Sequence, residues 1–438
     1  MSYKLSRRDF FKGAGTIAGT VTLGGGAMAL LEACGQPAGQ SSGNGGALTG
    51  QLEIFSWWTA GGEADGLNEM FKIYNQKYSG VKIKNAAVAG GAGTNAKAVL
   101  ATRMQGGQPP DSFQVHAGQE LVSTWVKAGK MESITSIWSE QGWDQAIPKD
   151  LKDIVSANGD VWSVPVNVHR GNSIWWTAQG FSGQPPTTYD ELFAAMDKAK
   201  SGGVQAPLAL GSKGNWQIAM LLENGILAEG GPEYYKQLFQ GKGSFTDAKV
   251  KEALNKMVHL FGYVNNDHPT IDWDEASKRL TQGTSTFTIM GDWAKGYFTS
   301  LNLTANKDFL GAASPGTKGN YVIVCDTFGL PKGAPDRANA VAWLKVCGSQ
   351  EGQAAFNPKK GSIPARTDVS TSLFDPIAQA FITDFKAAKL VPSSAHGSAT
   401  PEAFASAVND EMGQFIQKRD VNATANNLQK LAQQFLAS

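Results

Sequence analysis

Residues 51–57 read QLEIFSW, and this stretch begins the pattern that decides the fold class. Apolar and polar side chains alternate along it, as they do in a strand with one buried face. Apolar residues at helical spacing predict a helix over 64–78, and a second strand is predicted to begin at 80–83. A helix over 95–104 and a third strand over 112–115 follow. Strands that alternate with helices predict an α/β fold with a parallel sheet.

The rest of the chain continues this mixed pattern. Thr188 and Glu191 form a capping box at the start of another predicted helix. Strands are predicted over 285–290 and 321–325 because both stretches are rich in β-branched and aromatic residues. Further helices are predicted over 234–240, 248–262, 274–281, 337–347, 401–418 and 424–436.

The composition indicates a large protein with balanced charge. A chain of 438 residues is too long for one hydrophobic core and predicts two domains. The 39 Lys and Arg residues balance 38 Asp and Glu residues, so no basic excess points to nucleic acid. The 12 Trp residues suit a sugar-binding protein, since indole rings stack on the apolar face of a pyranose, although most of them are expected to fill cores. Cys325 and Cys347 lie in apolar stretches and are expected to be buried free thiols, with a disulfide left open.

Residues 1–34 have the order of an export signal. Arg7 and Arg8 form a twin-arginine pair that resembles the signal read by the twin-arginine translocon. The apolar stretch over 14–31 could be read as a membrane helix. It is rich in glycine, however, and its properly apolar run is too short to span about 30 Å of hydrocarbon. We therefore expect the protein to work outside the cytoplasmic membrane.

The end of the signal predicts how the protein is held at the membrane. Residues 31–34 read LEAC, which resembles a lipobox in which Cys34 is acylated. An incidental cysteine after a cleavage site is the alternative. Residues 35–49 are rich in Gly, Ser and Gln and predict a flexible linker. Contact with the membrane is therefore expected through the lipid only.

Four phrases in a fixed order carry a family resemblance. They are RMQGGQPPDSFQVHAG at 103–118, DVWSVP at 160–165, QGTSTFTIMGDW at 282–293 and DTFGLPKG at 326–333. Their order and spacing, behind a lipoprotein-type signal, resemble the extracellular solute-binding proteins of ABC-type sugar importers. Within that family the sequence most resembles the glucose/galactose-binding proteins. The resemblance runs from about Gln51 to the C-terminus.

The resemblance implies a two-lobed periplasmic-binding-protein fold of the α/β class. Several crossovers would join the lobes, and the ligand cleft between them would close by hinge bending. Lobe one would hold 50–165 and 313–355, and lobe two would hold 166–312 and 356–438. The resemblance also implies a monomer that delivers a monosaccharide to the transmembrane subunits of an ABC permease. No enzymatic activity, cofactor, metal or nucleic acid is expected.

Ligands in such folds lie beyond the carboxyl ends of strands, so residues that follow strands are the first candidates for the binding site. Trp57 and Trp58 follow the first strand, and one of them is expected to stack on the sugar while the other packs. Glu63 lies just behind them and is expected to accept hydrogen bonds from paired hydroxyls. Gln114 and His116 alternate at the end of the third strand, so their side chains share one face and offer donors and acceptors.

The second half of the chain supplies the remaining candidates. The resemblance implies that Trp273 and Trp293 take the other face of the pyranose, although Trp293 could instead pack at the hinge. Asp326 at a strand end is expected to accept from two adjacent hydroxyls, because hydrogen bonds to a charged group are strong. Lys360 and His396 match ligand contacts of the family.

Four further residues are weaker candidates. Lys359 could exchange roles with its neighbour Lys360. Asp292 and His169 are possible contacts, and Arg170 is expected to support the cleft by pairing with a carboxylate.

Two other classes of function stay open at the level of sequence. A secreted glycoside hydrolase would share the high tryptophan content, and Glu63 and Asp326 could pose as its pair of carboxylates. A lipoprotein adhesin or structural protein is the other class. The sequence favours a membrane-tethered receptor for glucose, with galactose as a second ligand and with di- or oligosaccharides as an alternative.

Overall fold

The computed structural model describes residues 47–59 and 61–436 of the chain. The predicted export residues Arg7 and Arg8 and the predicted lipidation site Cys34 lie outside the described residues. Most of the predicted linker also lies outside them. The fold described below therefore concerns the part of the chain that follows these segments.

The described strands form one five-stranded sheet, a second group of two three-stranded sheets, and a small hairpin. The strands are β1 (Gly50–Phe55), β2 (Val81–Asn85), β3 (Ser112–His116), β4 (Ser156–Ala157), β5 (Asp160–Val161), β6 (Ser163–Pro165), β7 (His169–Arg170), β8 (Ser173–Thr177), β9 (Phe287–Ile289), β10 (Phe309–Ala313), β11 (Asn320–Val324), β12 (Asp326–Gly329) and β13 (Lys389–Pro392). The five-stranded sheet has the order β2-β1-β3-β12-β6. The second group consists of β10-β8-β9 and β13-β11-β7, and the hairpin consists of β4 and β5.

The five-stranded sheet is mixed rather than parallel. β1 runs parallel to β2 and to β3, as the alternating pattern predicts. β12 runs antiparallel to both β3 and β6, so the prediction of a parallel sheet is wrong for this end of the sheet. The reason is that β12 enters the sheet from the second group of sheets, and a local sequence pattern carries no information about such a crossover.

Helices pack on both groups of sheets. They are α1 (Gly61–Lys77), α2 (Thr94–Gln105), α3 (Thr135–Glu140), α4 (Lys149–Ile154), α5 (Tyr189–Ser201), α6 (Trp216–Phe239), α7 (Ala248–Leu260), α8 (Trp273–Thr281), α9 (Trp293–Ser300), α10 (Arg337–Cys347), α11 (Gln350–Lys360), α12 (Pro376–Ala387), α13 (Glu402–Lys418) and α14 (Val421–Phe435). α10 packs on β1, β12 and β6, whereas α6 packs on β13. A π-helical turn over Glu120–Val126 follows β3.

The sequence predicted some helices accurately and missed part of others. α5 begins at the predicted capping box, in which Thr188 and Glu191 bond each other's backbone N–H. The predicted helix over 337–347 has the bounds of α10. The predicted segment over 234–240 corresponds to the part of α6 that follows a break at Gly231, where φ is 75°; the sequence missed the part before the break, whose first half is buried on all sides. That half lacks the amphipathic period on which helix prediction depends.

Two of the points at which the chain crosses between the five-stranded sheet and the second group of sheets are neighbours. β6 ends at Pro165 and β7 begins at His169, while β11 ends at Val324 and β12 begins at Asp326. Asn167 on the first crossing bonds Asp326 on the second in both directions. Its Nδ2 donates to Asp326 Oδ2 at 2.8 Å, and Asp326 N donates to its Oδ1 at 2.9 Å. The two crossings are thus fastened to each other.

This architecture is the predicted two-lobed α/β fold, with one lobe around the five-stranded sheet and one around the second group. The lobe boundaries proposed from the sequence stay a prediction. β11 falls within the range 313–355 that was predicted for lobe one, yet it pairs with β7 and β13 of the second group. β12 pairs within the five-stranded sheet.

Cys325 and Cys347 are free and buried. Burial raises the pKa of both thiols well above the ordinary value, so both stay protonated at neutral pH. The expectation of two buried thiols is confirmed. The disulfide that the sequence left open is not formed between them.

Candidate functional site

A cavity with about 340 Å³ of empty space lies among the strand ends of the two lobes. Eight of the ten residues that the sequence predicted as ligand contacts line this cavity. They are Trp57, Glu63, His116, Trp273, Trp293, Asp326, Lys360 and His396. The remaining lining residues are Ala92, His169, Trp216 and Val324.

Most of the lining side chains lie at the ends of strands and helices. Trp57 follows β1, His116 ends β3, and Asp326 begins β12. Three tryptophans are the first residues of their helices, namely Trp216 of α6, Trp273 of α8 and Trp293 of α9. The fold therefore gathers residues that are far apart in sequence at one place between the lobes.

Four buried tryptophans form the walls of the cavity, namely Trp57, Trp216, Trp273 and Trp293. The ring centroids of Trp216 and Trp293 lie 6.1 Å apart, and the Trp57 ring lies 4.9 Å from that of His116. Indole faces of this kind can stack on the apolar C–H faces of a sugar ring. Sequence reasoning missed Trp216, because it begins the half of α6 that was not predicted. Its place after a glycine-rich turn was the available signal.

Asp326 is the central charged group of the cavity. Gln114 Nε2 donates to its Oδ1 at 2.8 Å, and Asn167 Nδ2 donates to its Oδ2 at 2.8 Å. Burial favours the neutral acid, but the His169 imidazole and the Lys360 ammonium outweigh burial and hold the pKa of Asp326 well below its ordinary value. The carboxylate is therefore ionised at neutral pH. Its remaining lone pairs can accept hydrogen bonds from hydroxyl groups.

Trp58 and Gln114, which were also predicted as contacts, lie behind the wall of the cavity. Trp58 is buried in the core, and Lys360 Nζ lies 5.3 Å from its ring centroid. Gln114 Oε1 accepts from the backbone N–H of Trp57 at 3.1 Å while its Nε2 bonds Asp326. Gln114 thus holds two lining residues in place. Of the two adjacent tryptophans, Trp57 lines the cavity and Trp58 packs.

Lys360 and Glu63 form an ion pair in the wall of the cavity. Lys360 Nζ donates to Glu63 Oε1 at 2.6 Å, which joins the end of α11 to the first turn of α1. Burial raises the pKa of Glu63, and the Lys360 ammonium opposes this rise. Lys359, the alternative to Lys360 in the sequence, is exposed to solvent. The fold therefore places Lys360, and not Lys359, at the cavity.

His116 is held by a chain of buried charges behind the cavity. Its Nδ1 lies 2.7 Å from Glu120 Oε2, and Lys97 Nζ contacts Glu120 at 2.8 Å and Glu402 at 3.0 Å. Burial opposes ionisation of Glu120, but the charges of Lys97 and His116 lower its pKa to about 2. An ionised Glu120 accepts from Nδ1–H, which leaves Nε2 of His116 for the cavity, 3.8 Å from Asp326 Oδ1.

His396 lies in the loop after β13, and its ring packs edge-to-face against that of His116 with the centroids 5.6 Å apart. The His396 ring also packs edge-to-face against Trp216 at 5.4 Å and Trp293 at 5.1 Å. Nδ1 lies 3.0 Å from Ser393 Oγ, so Nε2 is the ring nitrogen left for the cavity. Burial and the nearby His116 hold the pKa of His396 well below its ordinary value, so its imidazole is neutral.

The other weaker candidates for ligand contacts differ in their distance from the cavity. His169 lines the cavity, with Nε2 at 3.4 Å from Asp326 Oδ2 and Nδ1 bonded to Asp292. Asp292 also accepts from the backbone N–H of Arg170 at 3.1 Å, so it supports the wall from behind. Arg170 is buried and pairs with Asp384 at 2.5 Å. This pairing with a carboxylate is the arrangement expected for Arg170 from the sequence.

A second cavity with about 530 Å³ of empty space shares Trp57, Glu63 and Trp273 with the first. Gly91 and Asp272 belong to its lining, and Gly91 N donates to Asp272 Oδ2 at 3.3 Å. This hydrogen bond joins the turn before α2 to the residue that caps α8. The two cavities therefore adjoin at a contact between the lobes.

Residues 50–354 match the family described as bacterial extracellular solute-binding protein. The chain belongs to this family. Proteins of this family are binding proteins of ABC transporters and not enzymes, and the relatives include sugar-binding proteins, which sets the hydrolase alternative aside. The predicted resemblance is therefore confirmed, and the protein is an extracytoplasmic solute-binding protein.

Two relatives support this assignment, and one solved structure shares the fold. An uncharacterized ABC transporter extracellular-binding protein of Pyrococcus horikoshii is 40% identical over 385 residues, 86% of each chain. A probable sugar-binding periplasmic protein of Mesorhizobium japonicum is 35% identical over 376 residues, 84% of this chain and 89% of that one. The structure of AcbH, a bacterial solute receptor described as exclusive for β-D-galactopyranose, aligns with a TM-score of 0.76 at 18% identity, over 88% of this chain and 99% of that one.

Within residues 47–59 and 61–436, no helix has both the length and the apolar character needed to cross a membrane. In the same part of the chain, no cluster of three or more His, Cys, Asp or Glu side chains is arranged to hold a metal ion.

Proposed function

We propose that the protein is a receptor for glucose, with galactose as the second candidate, and that one sugar ring binds among the residues that line the first cavity. The observation that carries the proposal is the buried, ionised Asp326 between tryptophan walls. A pyranose has apolar faces and a polar rim, which match indole walls and a ring of charged and polar groups. AcbH, described as exclusive for β-D-galactopyranose, shares the fold.

The polar groups of the cavity fit the hydroxyls of one ring. The Asp326 carboxylate can accept from two adjacent hydroxyls, and charge-assisted bonds of this kind are the stronger ones. Lys360 Nζ donates to a hydroxyl oxygen, whereas the ring nitrogens of His116 and His396 contribute from other sides. Each hydroxyl can act as donor and acceptor at once, so a ring with several hydroxyls satisfies such a set.

Delivery to the permease follows from closure of the lobes. The cavity takes its lining from both lobes, so a bound sugar stabilises the closed arrangement over the open one. We propose that the protein acts as a monomer and that the permease recognises the closed form. No chemical change of the sugar is involved.

Calorimetric titration with glucose, galactose, xylose and maltose tests the proposed ligand. We expect glucose to bind most tightly and Asp326→Asn to weaken its binding by about 10- to 100-fold, the range for hydrogen bonds to a charged group. Asp384→Asn is the matched control because Asp384 pairs with Arg170 away from the cavity. Tighter binding of maltose than of either hexose, or unchanged affinity in Asp326→Asn, contradicts the proposal.

A di- or oligosaccharide is the alternative to a single hexose. The adjoining cavity shares Trp57, Glu63 and Trp273 with the first, so a further ring would bind next to the first one. The maltose arm of the same titration separates the two candidates. A longer sugar that uses both cavities is expected to gain affinity over the single ring.

We also propose that Cys34 carries the lipid that tethers the receptor to the membrane. The LEAC sequence at 31–34 supports this proposal. Cys34→Ser is expected to release the protein from the membrane fraction without loss of sugar binding. Retention of the variant in washed membranes would argue against acylation at this residue.

A further inference from the structure

Glu223 on α6 is a buried carboxylate beside the loop that carries His396. Its Oε2 accepts from the backbone N–H groups of Ser394 at 2.8 Å and Ala395 at 3.2 Å, and from Tyr235 OH at 3.0 Å. Its Oε1 lies 2.9 Å from Ser393 Oγ. No salt bridge to Glu223 is formed by the residues that the structure describes. Its environment thus consists of neutral hydrogen-bond donors.

Ser393 lies between this carboxylate and His396. A serine hydroxyl has one proton to donate and two lone pairs that accept. Three groups around Ser393 Oγ decide how these are used: the Glu223 carboxylate, with Oε1 at 2.9 Å and Oε2 at 3.1 Å, His396 Nδ1 at 3.0 Å, and the backbone N–H of His396 at 3.2 Å. A carboxylate only accepts and a backbone N–H only donates. The serine proton therefore points to Glu223, and the remaining lone pair accepts from Nδ1–H of His396.

We propose that Glu223 is a positioning residue for the sugar site: acting through Ser393, it fixes His396 in the Nδ1–H tautomer, so that Nε2 presents a bare acceptor to the cavity. This inference rests on the proposed function, since it concerns the hydroxyl that His396 meets. That hydroxyl must donate. Glu223 thereby helps to determine which group donates in the hydrogen bond between His396 and the sugar, although Glu223 itself does not contact the sugar.

Glu223→Gln provides a test with almost no change of shape. The backbone N–H groups of Ser394 and Ala395 require an oxygen at the Oε2 position, so the amide nitrogen takes the Oε1 position and donates to Ser393. Three donors would then compete for two lone pairs of Ser393. The serine hydroxyl must turn to donate to His396 Nδ1, and the imidazole proton moves to Nε2. The acceptor at the cavity becomes a donor.

Protonation of Glu223 has the same effect on Ser393. Burial raises the pKa of Glu223 to about 7, although the hydrogen bonds from Ala395 N, Ser393 and Tyr235 oppose the rise. The other side chains that face it, from α6 and from α13, are uncharged: Ala219, Leu222, Phe239, Ala405 and Val408. The charged or titratable groups around His396 are His116, Lys97, Asp326 and His169. The wild type is thus expected to change tautomer near neutral pH.

The tautomer is measured by nitrogen-15 NMR of histidine-labelled, sugar-free protein. At pH 8.5 we expect the proton of His396 on Nδ1 in the wild type and on Nε2 in Glu223→Gln. Tyr235→Phe is the matched control, because it removes a donor to the same carboxylate but leaves the Ser393 contact, and it should keep the wild-type tautomer. The same tautomer in wild type and Glu223→Gln overturns the proposal. If the variant does not fold, a wild-type tautomer that stays the same from pH 5.5 to 8.5 overturns it.

Binding of monodeoxyfluoro-glucoses supplies the second readout, since fluorine replaces a hydroxyl without donating. At the position that faces His396, fluorine should weaken wild-type binding by about threefold to tenfold relative to glucose, the range for one hydrogen bond. Glu223→Gln should reduce this penalty at that position, because fluorine can accept weakly from Nε2–H but cannot donate to a bare Nε2. An equal penalty in both proteins at every position contradicts the proposal. Because the NMR readout needs no sugar, failure of glucose to bind contradicts the proposed ligand and leaves the tautomer result interpretable.

Discussion

Two buried carboxylates, Asp326 and Glu223, have opposite shifts of pKa, and the difference lies in their neighbours. For Asp326, the His169 imidazole and the Lys360 ammonium outweigh burial and lower the pKa. For Glu223, burial outweighs hydrogen bonds from neutral groups and raises the pKa to about 7. Asp326 is thus a fixed charge at all physiological pH values. Glu223 gains and loses a proton near neutrality.

The raised pKa of Glu223 predicts a specific dependence of stability on pH. The ordinary pKa of the group is 4.5, so between about pH 4.5 and pH 7 the folded protein binds the proton more tightly than the unfolded chain. Glu223 therefore favours the fold at low pH, and this contribution is lost as pH rises through 7. Relative to Glu223→Gln, the wild type should lose up to about 3 kcal/mol of unfolding free energy between pH 5 and pH 8.

Urea denaturation of both proteins at pH 5, 6, 7 and 8 measures this difference. Other groups with shifted pKa values contribute equally to both proteins and cancel in the comparison. Parallel curves of stability against pH for the two proteins would contradict the raised pKa.

At the scale of single residues, the sequence could predict most of the residues around the cavity. It could not predict which of them line the cavity and which lie behind its wall. Gln114 and His116 alternate on β3, and the sequence placed both on one face. It could not show that Asp326 lies opposite His116 in the β3–β12 pair, or that Asp326 accepts a hydrogen bond from the Gln114 amide. Gln114 therefore became a support rather than a lining residue. This information is long-range, and no local pattern carries it.

At the scale of helices, three of them meet through backbone atoms beside the cavity. A Cβ on Gly62 of α1 would lie 2.2 Å from Lys359 O of α11, and a Cβ on Gly296 of α9 would lie 2.4 Å from Lys360 O. Only residues without a side chain permit this approach. α1 carries Glu63 and α11 carries Lys360, so the close packing sets the position of this ion pair.

Gly296→Ala should disturb this junction without touching a ligand. The added methyl group would meet the backbone of α11, and overpacking of this kind costs about 1–3 kcal/mol of unfolding free energy. The shift of Lys360 should also weaken sugar binding. Urea denaturation and calorimetric titration measure the two effects.

Gly106→Ala is the control for this prediction. Gly106 has an ordinary φ of −75° and follows α2, and its nearest neighbour to an added Cβ is Thr102 O at 3.3 Å. We expect little change in stability or in sugar affinity there. Equal effects of the two substitutions would mean that the helix junction has no special role.

The sequence predicted best the helices and strands that are marked by a local sequence pattern. The capping box at Thr188 and the amphipathic segment of α10 marked their helices correctly. The buried half of α6 gave no period, so the sequence missed it together with Trp216. The direction of β12 depends on where the chain re-enters a sheet, which is a property of the whole fold.

At the scale of the whole molecule, the lobes share one cavity, and closure around the sugar is expected to reduce the size of the particle. Small-angle X-ray scattering with and without saturating glucose should show a smaller radius of gyration with the sugar, as hinge closure requires. Asp326→Asn at the same glucose concentration should show a smaller change. An identical radius in the presence and absence of bound sugar would contradict closure.

The reciprocal bonds between Asn167 and Asp326 have a mechanical consequence. They fasten two of the chain crossings about which we expect the lobes to turn, and the carboxylate that we propose as the anchor of the sugar takes part in them. A group on the axis of a rotation hardly moves, so the Asp326 carboxylate is expected to stay in place while the tryptophan walls move. The sugar is therefore expected to bind the Asp326 carboxylate in the open form and to keep this contact while the tryptophan walls close around it. Release then requires the tryptophan walls to move away first. The permease is therefore expected to control release by separating the lobes and not by contacting the sugar.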